Sequence, residues 1–490
     1  MSCIICYDNK NITITPCCKI EVCDSCWLQL QNDKTENCPN CREQIGDFIR
    51  DNVFDYNCKE SFKLSDLRTL VNSKRNILIH GPGGCGKSHA IRNLTRSINN
   101  QHVHVTATTG IAALNISTRY MPAKTIHRFS GIKTGDADVK HLISYIERND
   151  KAVKRWKDTK ILIIDEVSML GANFFKKLDT IAKYFRKNNK PMGGIQMIFS
   201  GDFLQLPPVK DDYVFTTNVW RDLNIAPIIA ETPYRYKDKD FFNFLLRVRK
   251  GEVTEDDIRT ISRRVRCNNS LNKELDKLKH ENPGSVIKPT VFFSKKKDVY
   301  FLNKRELEKL DSKEYVFTCT DTTILKDKDK KIEPEYYTKV LDENFPRELR
   351  LKVGAQVMLT VNISVEDGFV NGSRGVINDI TDSNEIVVMF LNGRKLSIPI
   401  HSREIEDEYA IVTRSQIPLV LSSAMTIHKS QGATLDYAVV DLGPSIFAEG
   451  QAYVALSRCR NMKGLFVSEF TPMSIKTNQT AVKYIRSIEK

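Results

Sequence analysis

No stretch of this 490-residue sequence approaches the roughly 20 consecutive apolar residues that cross a bilayer, so a membrane span is not expected. The opening "MSCIICYDNK" lacks a basic segment leading into a long apolar one, which argues against a secretory signal. Internal repeats and long low-complexity segments are also missing, which sets aside solenoid and array architectures. Histidine is absent from residues 1–50, so a metal site there would be built without imidazole. Cysteine is sparse over most of the chain: of thirteen, only five lie beyond residue 41. Without a secretory signal the expected setting is intracellular and reducing, where clustered cysteines bind metal more often than they pair as disulfides.

What is present points to a folded, multidomain protein. Its length and 41% hydrophobic content suffice for two or three domains with real cores. The net charge is +14, but residues 1–50 hold five Lys/Arg against seven Asp/Glu, leaving 69 against 53, or +16, on the remainder. A basic surface on the larger part suits a nucleic-acid partner, and motifs must decide whether it has one.

Eight cysteines crowd the start as Cys3-x2-Cys6-x10-Cys17-Cys18-x4-Cys23-x2-Cys26-x11-Cys38-x2-Cys41. Each x2 pair can close a chelate on one ion, and eight thiolates suit two tetrahedral Zn²⁺. A segment this short buries too little apolar area to fold alone, and structural zinc supplies about 10–16 kcal/mol. With Ile5 before Cys6, Trp27 after Cys26 and "CPNCRE" at the close, residues 1–46 resemble a RING domain. That resemblance implies a cross-brace, with Cys3, Cys6, Cys23 and Cys26 on one ion and Cys17, Cys18, Cys38 and Cys41 on the other. It also implies a face of Ile5, Trp27 and Pro39 for a ubiquitin-conjugating enzyme, with Arg42 toward ubiquitin. The bland alternative is a zinc-stapled docking module without a catalytic partner.

After a polar connector at 47–62, "NILIHGPGGCGKSHAI" reads as a strand, a glycine loop and a helix start, the G-x4-G-K-S phosphate loop in its required context. Gly81, Gly83, Gly84, Cys85 and Gly86 would wrap a triphosphate with backbone N–H groups, with Pro82 shaping the same nucleotide-binding loop; Lys87 would meet its terminal phosphates and Ser88 would hold Mg²⁺. The Cys85 thiol is incidental to that role; Cys58, Cys267, Cys319 and Cys459 have no neighbours at ligand spacing. In "KILIIDEVSML" an apolar strand delivers Asp165 and Glu166 at its carboxyl end, where α/β sheets build their sites. Asp165 suits Mg²⁺ and Glu166 suits the attacking water.

Six further segments follow in order: "VTATTGIAAL", "TIHRFSGI", "IFSGDFLQLPPV", "ETPYRY", "TIHKSQGATLD" and "QAYVALSRCR". Together they resemble the superfamily 1B DNA helicases of the PIF family, in the RecD-like branch, over about residues 63–475. The resemblance implies two RecA-like domains that sandwich ATP, with Gln205 sensing the γ-phosphate, Arg235 and Arg458 as arginine fingers, and Gly432 at the nucleotide. DNA-contacting positions of the family map onto Thr108, Thr109, Gly110, His127, Phe129, His428, Ser430 and Gln431. Where the family carries an adenine-reading Gln, "KLSDLRTL" offers Arg68 as the nearest match.

The expected architecture is α/β: a zinc module at 1–46, a linker at 47–62, a first RecA-like motor domain at 63–222, and a second at 223–490 with an SH3-like barrel inserted at about 363–415. The expected activity is ATP-dependent, Mg²⁺-dependent translocation 5′ to 3′ on single-stranded DNA to open duplex DNA, in replication, repair or recombination. Two alternatives stay open: an RNA-preferring motor, because phosphate contacts do not read the sugar, and a RING-type ubiquitin ligase that uses the motor region as a DNA-targeting platform. The Lys/Asn-rich chain and RING-like fusion suit a eukaryote or a large DNA virus, placing the protein in a nucleus or in host cytoplasm.

Overall fold

The computed structural model describes residues 63–489 with interruptions, the longest at 267–287 and 326–340, and two short strands, Ile12–Ile14 and Glu21–Cys23. Those strands pair antiparallel with Ile12 opposite Cys23. The expected ligands Cys3, Cys6, Cys17, Cys18, Cys26, Cys38 and Cys41, the side chain of Cys23, and the linker lie outside the described residues.

Short apolar runs build the first motor sheet. Its six strands are parallel, in the order Lys124–Thr125, Val103–Ala107, Ile161–Asp165, Gln196–Gly201, Ile77–His80, Ala226–Ile229. Runs such as "ILIH" and "ILIID" are buried on both faces, as parallel strands between helices must be. Alternation along the strands sends Ile77, Ile79, Ile163 and Ile198 into one layer, with Ile91 and Leu94 of helix Lys87–Ser97. Leu78, Leu162, Ile164 and Phe199 enter the other, against Phe175, Leu178 and Ile181 of helix Ala172–Arg186.

A second sheet, also parallel, runs in the order Ala424–Thr426, Thr290–Phe293, Ala438–Leu442, Leu465–Phe470. Phe292, Val440 and Val467 meet Phe241, Phe244, Leu245 and Val248 of helix Lys239–Lys250 in its core. Between the first two strands in chain order lies an antiparallel β domain. Its main sheet is ordered Lys395–Ile398, Ile386–Phe390, Arg374–Ile380, Gln356–Leu359, Leu419–Leu421, around Val357, Leu359, Ile377, Val388 and Leu419. Two parallel α/β layers with a small antiparallel insertion match the expected fold class. No helix among the described residues is long and apolar enough to cross a membrane.

Three element positions differ from the expected boundaries. Ala226–Ile229 pairs with Ile77–His80, so a division at 222/223 precedes the first sheet's last strand. The inserted β domain reaches outside 363–415, since Gln356–Leu359 and Leu419–Leu421 both belong to its sheet. Helix Gln479–Ile488 returns to the first motor domain: Tyr484 stacks on Phe215 with centroids 4.2 Å apart, and its hydroxyl accepts from Trp220 Nε1 at 3.0 Å. Chain order assigned that helix to the second domain; its apolar face of Val482, Tyr484, Ile485 and Ile488 finds its cover on the first.

Candidate nucleotide and nucleic-acid site

The phosphate loop links strand Ile77–His80 to helix Lys87–Ser97. Gly86 caps that helix at φ +82, left-handed backbone, and a Cβ there would lie 2.9 Å from the Tyr234 ring. The loop's other flank is the segment after the first sheet, because Tyr234 N and Arg235 N both donate to the Gly84 carbonyl at 2.9 and 3.2 Å. Lys87 is buried inside this cradle, where its Nζ donates to the carbonyls of Gly81 at 2.6 Å and Pro82 at 2.8 Å. Burial lowers its pKa, opposed chiefly by the Asp202 carboxylate.

Asp165 ends strand Ile161–Asp165, and its Oδ2 accepts from Ser88 Oγ at 3.3 Å. Two hard oxygen donors thus converge beside the loop, a donor set that fits Mg²⁺. Glu166 takes the left-handed region at φ +55 as the chain leaves the strand. Its pKa is pushed up to about 7, first by burial and then by the Asp165 charge, with Lys87, Arg458 and Gln431 pulling the other way. A carboxylate tuned there matches a general base working near neutral pH.

Groups from the second motor domain close over this site. Gln431 Nε2 donates to Glu166 Oε2 at 2.9 Å and lies 3.5 Å from Gln205 Oε1. Tyr453 Oη accepts from Gly83 N at 2.9 Å. Arg235 Nη1 and Tyr236 Oη both donate to the Ser457 carbonyl at 2.7 Å. Arg458 is fully buried, its Nε bonded to the Val454 carbonyl at 2.9 Å; burial, then Arg235, lower its pKa to about 10, which leaves it charged at neutral pH. Gly450, at φ +70, brings helix Gln451–Leu456 so close that a Cβ would sit 2.3 Å from the Gln205 carbonyl oxygen. Gly432 borders Ser88, Asp165 and Glu166 across a cleft of about 470 Å³. Arg68 is exposed beside a separate cavity of about 580 Å³, also lined by His89, Asn93 and Tyr234.

The expected nucleic-acid contacts divide into half-buried and fully internal ones. Thr108, Thr109 and Gly110 follow strand Val103–Ala107 and are half-buried. Thr108 Oγ1 donates to the Glu166 carbonyl at 3.0 Å, and Thr109 Oγ1 caps Ala112 N at 3.1 Å. His127 is half-buried and stacks on Phe174 with centroids 4.4 Å apart. Phe129, expected among the DNA contacts, is 1% exposed and packs edge-on against Trp156 in the core. Positions two apart on a helix point to opposite sides, so within Ile126–Ser130 His127 faces outward and Phe129 inward. Ser430 is buried as well, its Oγ donating to the Ile427 carbonyl at 2.7 Å, and Gln431 turns to the nucleotide site instead of outward. His428 stays half-buried.

Comparison with known proteins gives this geometry a family. The PIF1-like helicase family model matches residues 59–259, the model of the DNA helicase Pif1 2B domain matches 335–380, and the C3HC4-type zinc finger (RING finger) model matches 1–48. The crystal structure of a Pif1 helicase from Candida albicans superposes with a TM-score of 0.73 at 32% identity, covering 88% of this chain and 99% of that one. The chain belongs to the PIF1-like helicase family. Protein 030L of Invertebrate iridescent virus 6 is 31% identical over 88% of this chain and 95% of its own length. The ATP-dependent DNA helicase PIF1 of Danio rerio is 35% identical over 87% of this chain, which spans 64% of that relative's length.

Several residues of this PIF1-like chain were missed in the sequence. Tyr453 and Ser457 lie one helical turn apart within "QAYVALSRCR", a spacing that could have marked them as one face over the phosphate loop. Arg249 is 1% exposed and fastens Asp202 with three contacts of 2.9–3.1 Å, while its Nη2 meets His80 Nε2 at 2.9 Å. No local pattern announces that contact. Arg403, from the inserted β domain, lies 3.8 Å from where a Gly110 side chain would begin.

Proposed function

We propose that this chain is an ATP-dependent DNA helicase that moves 5′ to 3′ along single-stranded DNA and opens duplex DNA during replication, repair or recombination. One observation carries the reading: Glu166 of the first motor domain is held by Gln431 of the second, within the field of buried Arg458. A site whose base is shared between domains responds to their separation, and that response is what a translocating motor requires. Lys87 would neutralise the terminal phosphates, Ser88 and Asp165 would hold Mg²⁺, and Glu166 would take the proton of the attacking water. The metal supplies Lewis-acid charge at the phosphoryl oxygens. Arg235 and Arg458 would stabilise the charge that develops in the transition state, and Gln205, next to Gln431, would pass loss of the γ-phosphate to the second domain. The "DNA helicase" names of the relatives and the +16 charge on residues 51–490 support DNA as the partner.

Arg458→Ala is expected to lower DNA-stimulated ATP hydrolysis by about 10³-fold, the scale of a lost arginine finger, with single-strand binding retained. Full hydrolysis in that variant would defeat the two-domain site. For residues 1–46 the reading is a module with two Zn²⁺ on the eight cysteines that recruits a ubiquitin-conjugating enzyme through Ile5, Trp27 and Pro39. Two zinc ions per chain by elemental analysis, and autoubiquitination lost in Ile5→Ala, are the outcomes it requires; one ion, or no ligase activity in the wild type, would reduce it to a staple.

A further inference from the structure

Three loops leave the carboxyl ends of three adjacent strands in the second motor sheet. Lys295, Lys296 and Lys297 follow Thr290–Phe293, His428 follows Ala424–Thr426, and Phe447 follows Ala438–Leu442. That edge of a parallel sheet is where α/β folds place ligands. The three lysines are exposed, and Phe447 is 60% exposed. Its ring lies nearly parallel to the His428 ring, at 18° and 6.4 Å between centroids.

A single exposed phenylalanine is ordinary on a protein surface. This one is held in place. The Phe447 and Ala448 amides both donate to Oε1 of fully buried Gln451 at 3.2 Å, and the preceding Ile446 is buried in the second domain's core. Gly450 N, at the loop's far end, donates to the Lys476 carbonyl at 2.8 Å. The loop therefore turns one apolar side chain inward and fixes the next outward, beside a half-buried imidazole. Burial and then the Lys296 charge depress the His428 pKa, so the imidazole stays neutral and Lys296 lies within its field. A flat apolar ring with cations alongside matches a nucleobase with its phosphate, because every base has a π-face and every link an anion. The first motor domain offers a counterpart in the His127–Phe174 stack.

We propose that Phe447, stacked on His428 and flanked by Lys296 from the loop after the intervening strand, is a base-stacking platform for single-stranded nucleic acid on the second motor domain. The proposal rests on the helicase reading and adds to it a contact residue that the motif segments do not contain. Bases meet the Phe447 face while Lys296 holds the adjoining phosphate, so the two contributions separate chemically.

The test is equilibrium binding of the full chain to a fluorescent oligo-dT and to an abasic oligomer of equal length, which keeps the phosphates and lacks the bases. Phe447→Ala is expected to weaken oligo-dT binding about tenfold, the scale of one lost base–aromatic stack, and to leave abasic binding unchanged. Phe447→Trp should restore oligo-dT affinity, and Lys296→Ala should weaken both oligomers alike. Unchanged oligo-dT binding in Phe447→Ala, with the wild type binding tightly, would overturn the platform and spare the helicase reading. Equal losses on both oligomers, or no rescue by Trp, would assign Phe447 a structural role and also overturn it. Failure of the wild type to bind oligo-dT would defeat both readings together.

Discussion

Glu166 can act as a base only when it is deprotonated, and its surroundings set the pH at which that happens. Burial and Asp165 raise its pKa to about 7, while the Gln431 amide, donating to Oε2, favours the charged form. The kcat/KM for ATP hydrolysis reports the free enzyme, so it is expected to fall as pH drops through about 7. Gln431→Leu removes the donor, leaves the neutral acid relatively favoured, and should move that acidic limb to higher pH. A limb that stays fixed in Gln431→Leu would mean that the contact does not tune the base. The family resemblance in "HKSQG" points Gln431 toward DNA; its side chain instead reaches across the domain boundary to Glu166, a relation that no local pattern carries. Phe129 teaches the converse. The helical period of "TIHRF" was enough to separate an outward His127 from an inward Phe129.

At the scale of elements, the phosphate loop and the strand before Asp165 were legible because each has a local signal: glycines in one, an unbroken apolar run in the other. The buried tie among strand Ile77–His80, the Asp202 turn and helix Lys239–Lys250 was not, since its partners are far apart in sequence. Arg249 is donor only, so His80 Nε2 must accept and His80 must be neutral. Burial, then Arg249, lower its pKa to about 3. Between roughly pH 6.5 and 3 the unfolded chain therefore binds a proton that the folded chain refuses. Stability from this group is complete above 6.5 and is lost as pH falls, by about 1.4 kcal/mol per pH unit. Chemical denaturation of His80→Gln across this window should give a shallower slope than wild type. An identical slope would place the acid sensitivity elsewhere, His104 being the next group, held at about 4 by burial.

Over the whole molecule, two parallel sheets with an antiparallel insertion followed from the order of the motifs, while the exact partition of the chain did not. Helix Gln479–Ile488 crosses back to cover the first domain, and Glu489 just beyond it lies 3.7 Å from Lys250 and 3.9 Å from Arg249. The chain thus ties its two motor domains at the chain's end as well as at the nucleotide site. Along the proposed track, Thr108–Gly110 and His127 of the first domain and His428 of the second each follow the carboxyl end of a parallel strand. In the proposed mechanism, alternating grip by two such sites, timed by closure on ATP, would give movement with a fixed polarity. The most direct test is unwinding of one duplex bearing a 5′ single-stranded tail and one bearing a 3′ tail, each in DNA and RNA form, with ATP and Mg²⁺. Unwinding from the 5′ DNA tail, weakened by added salt as Lys and Arg lose phosphate contacts, is the predicted result; preference for the 3′ tail, or equal or better use of the RNA tails, would contradict it.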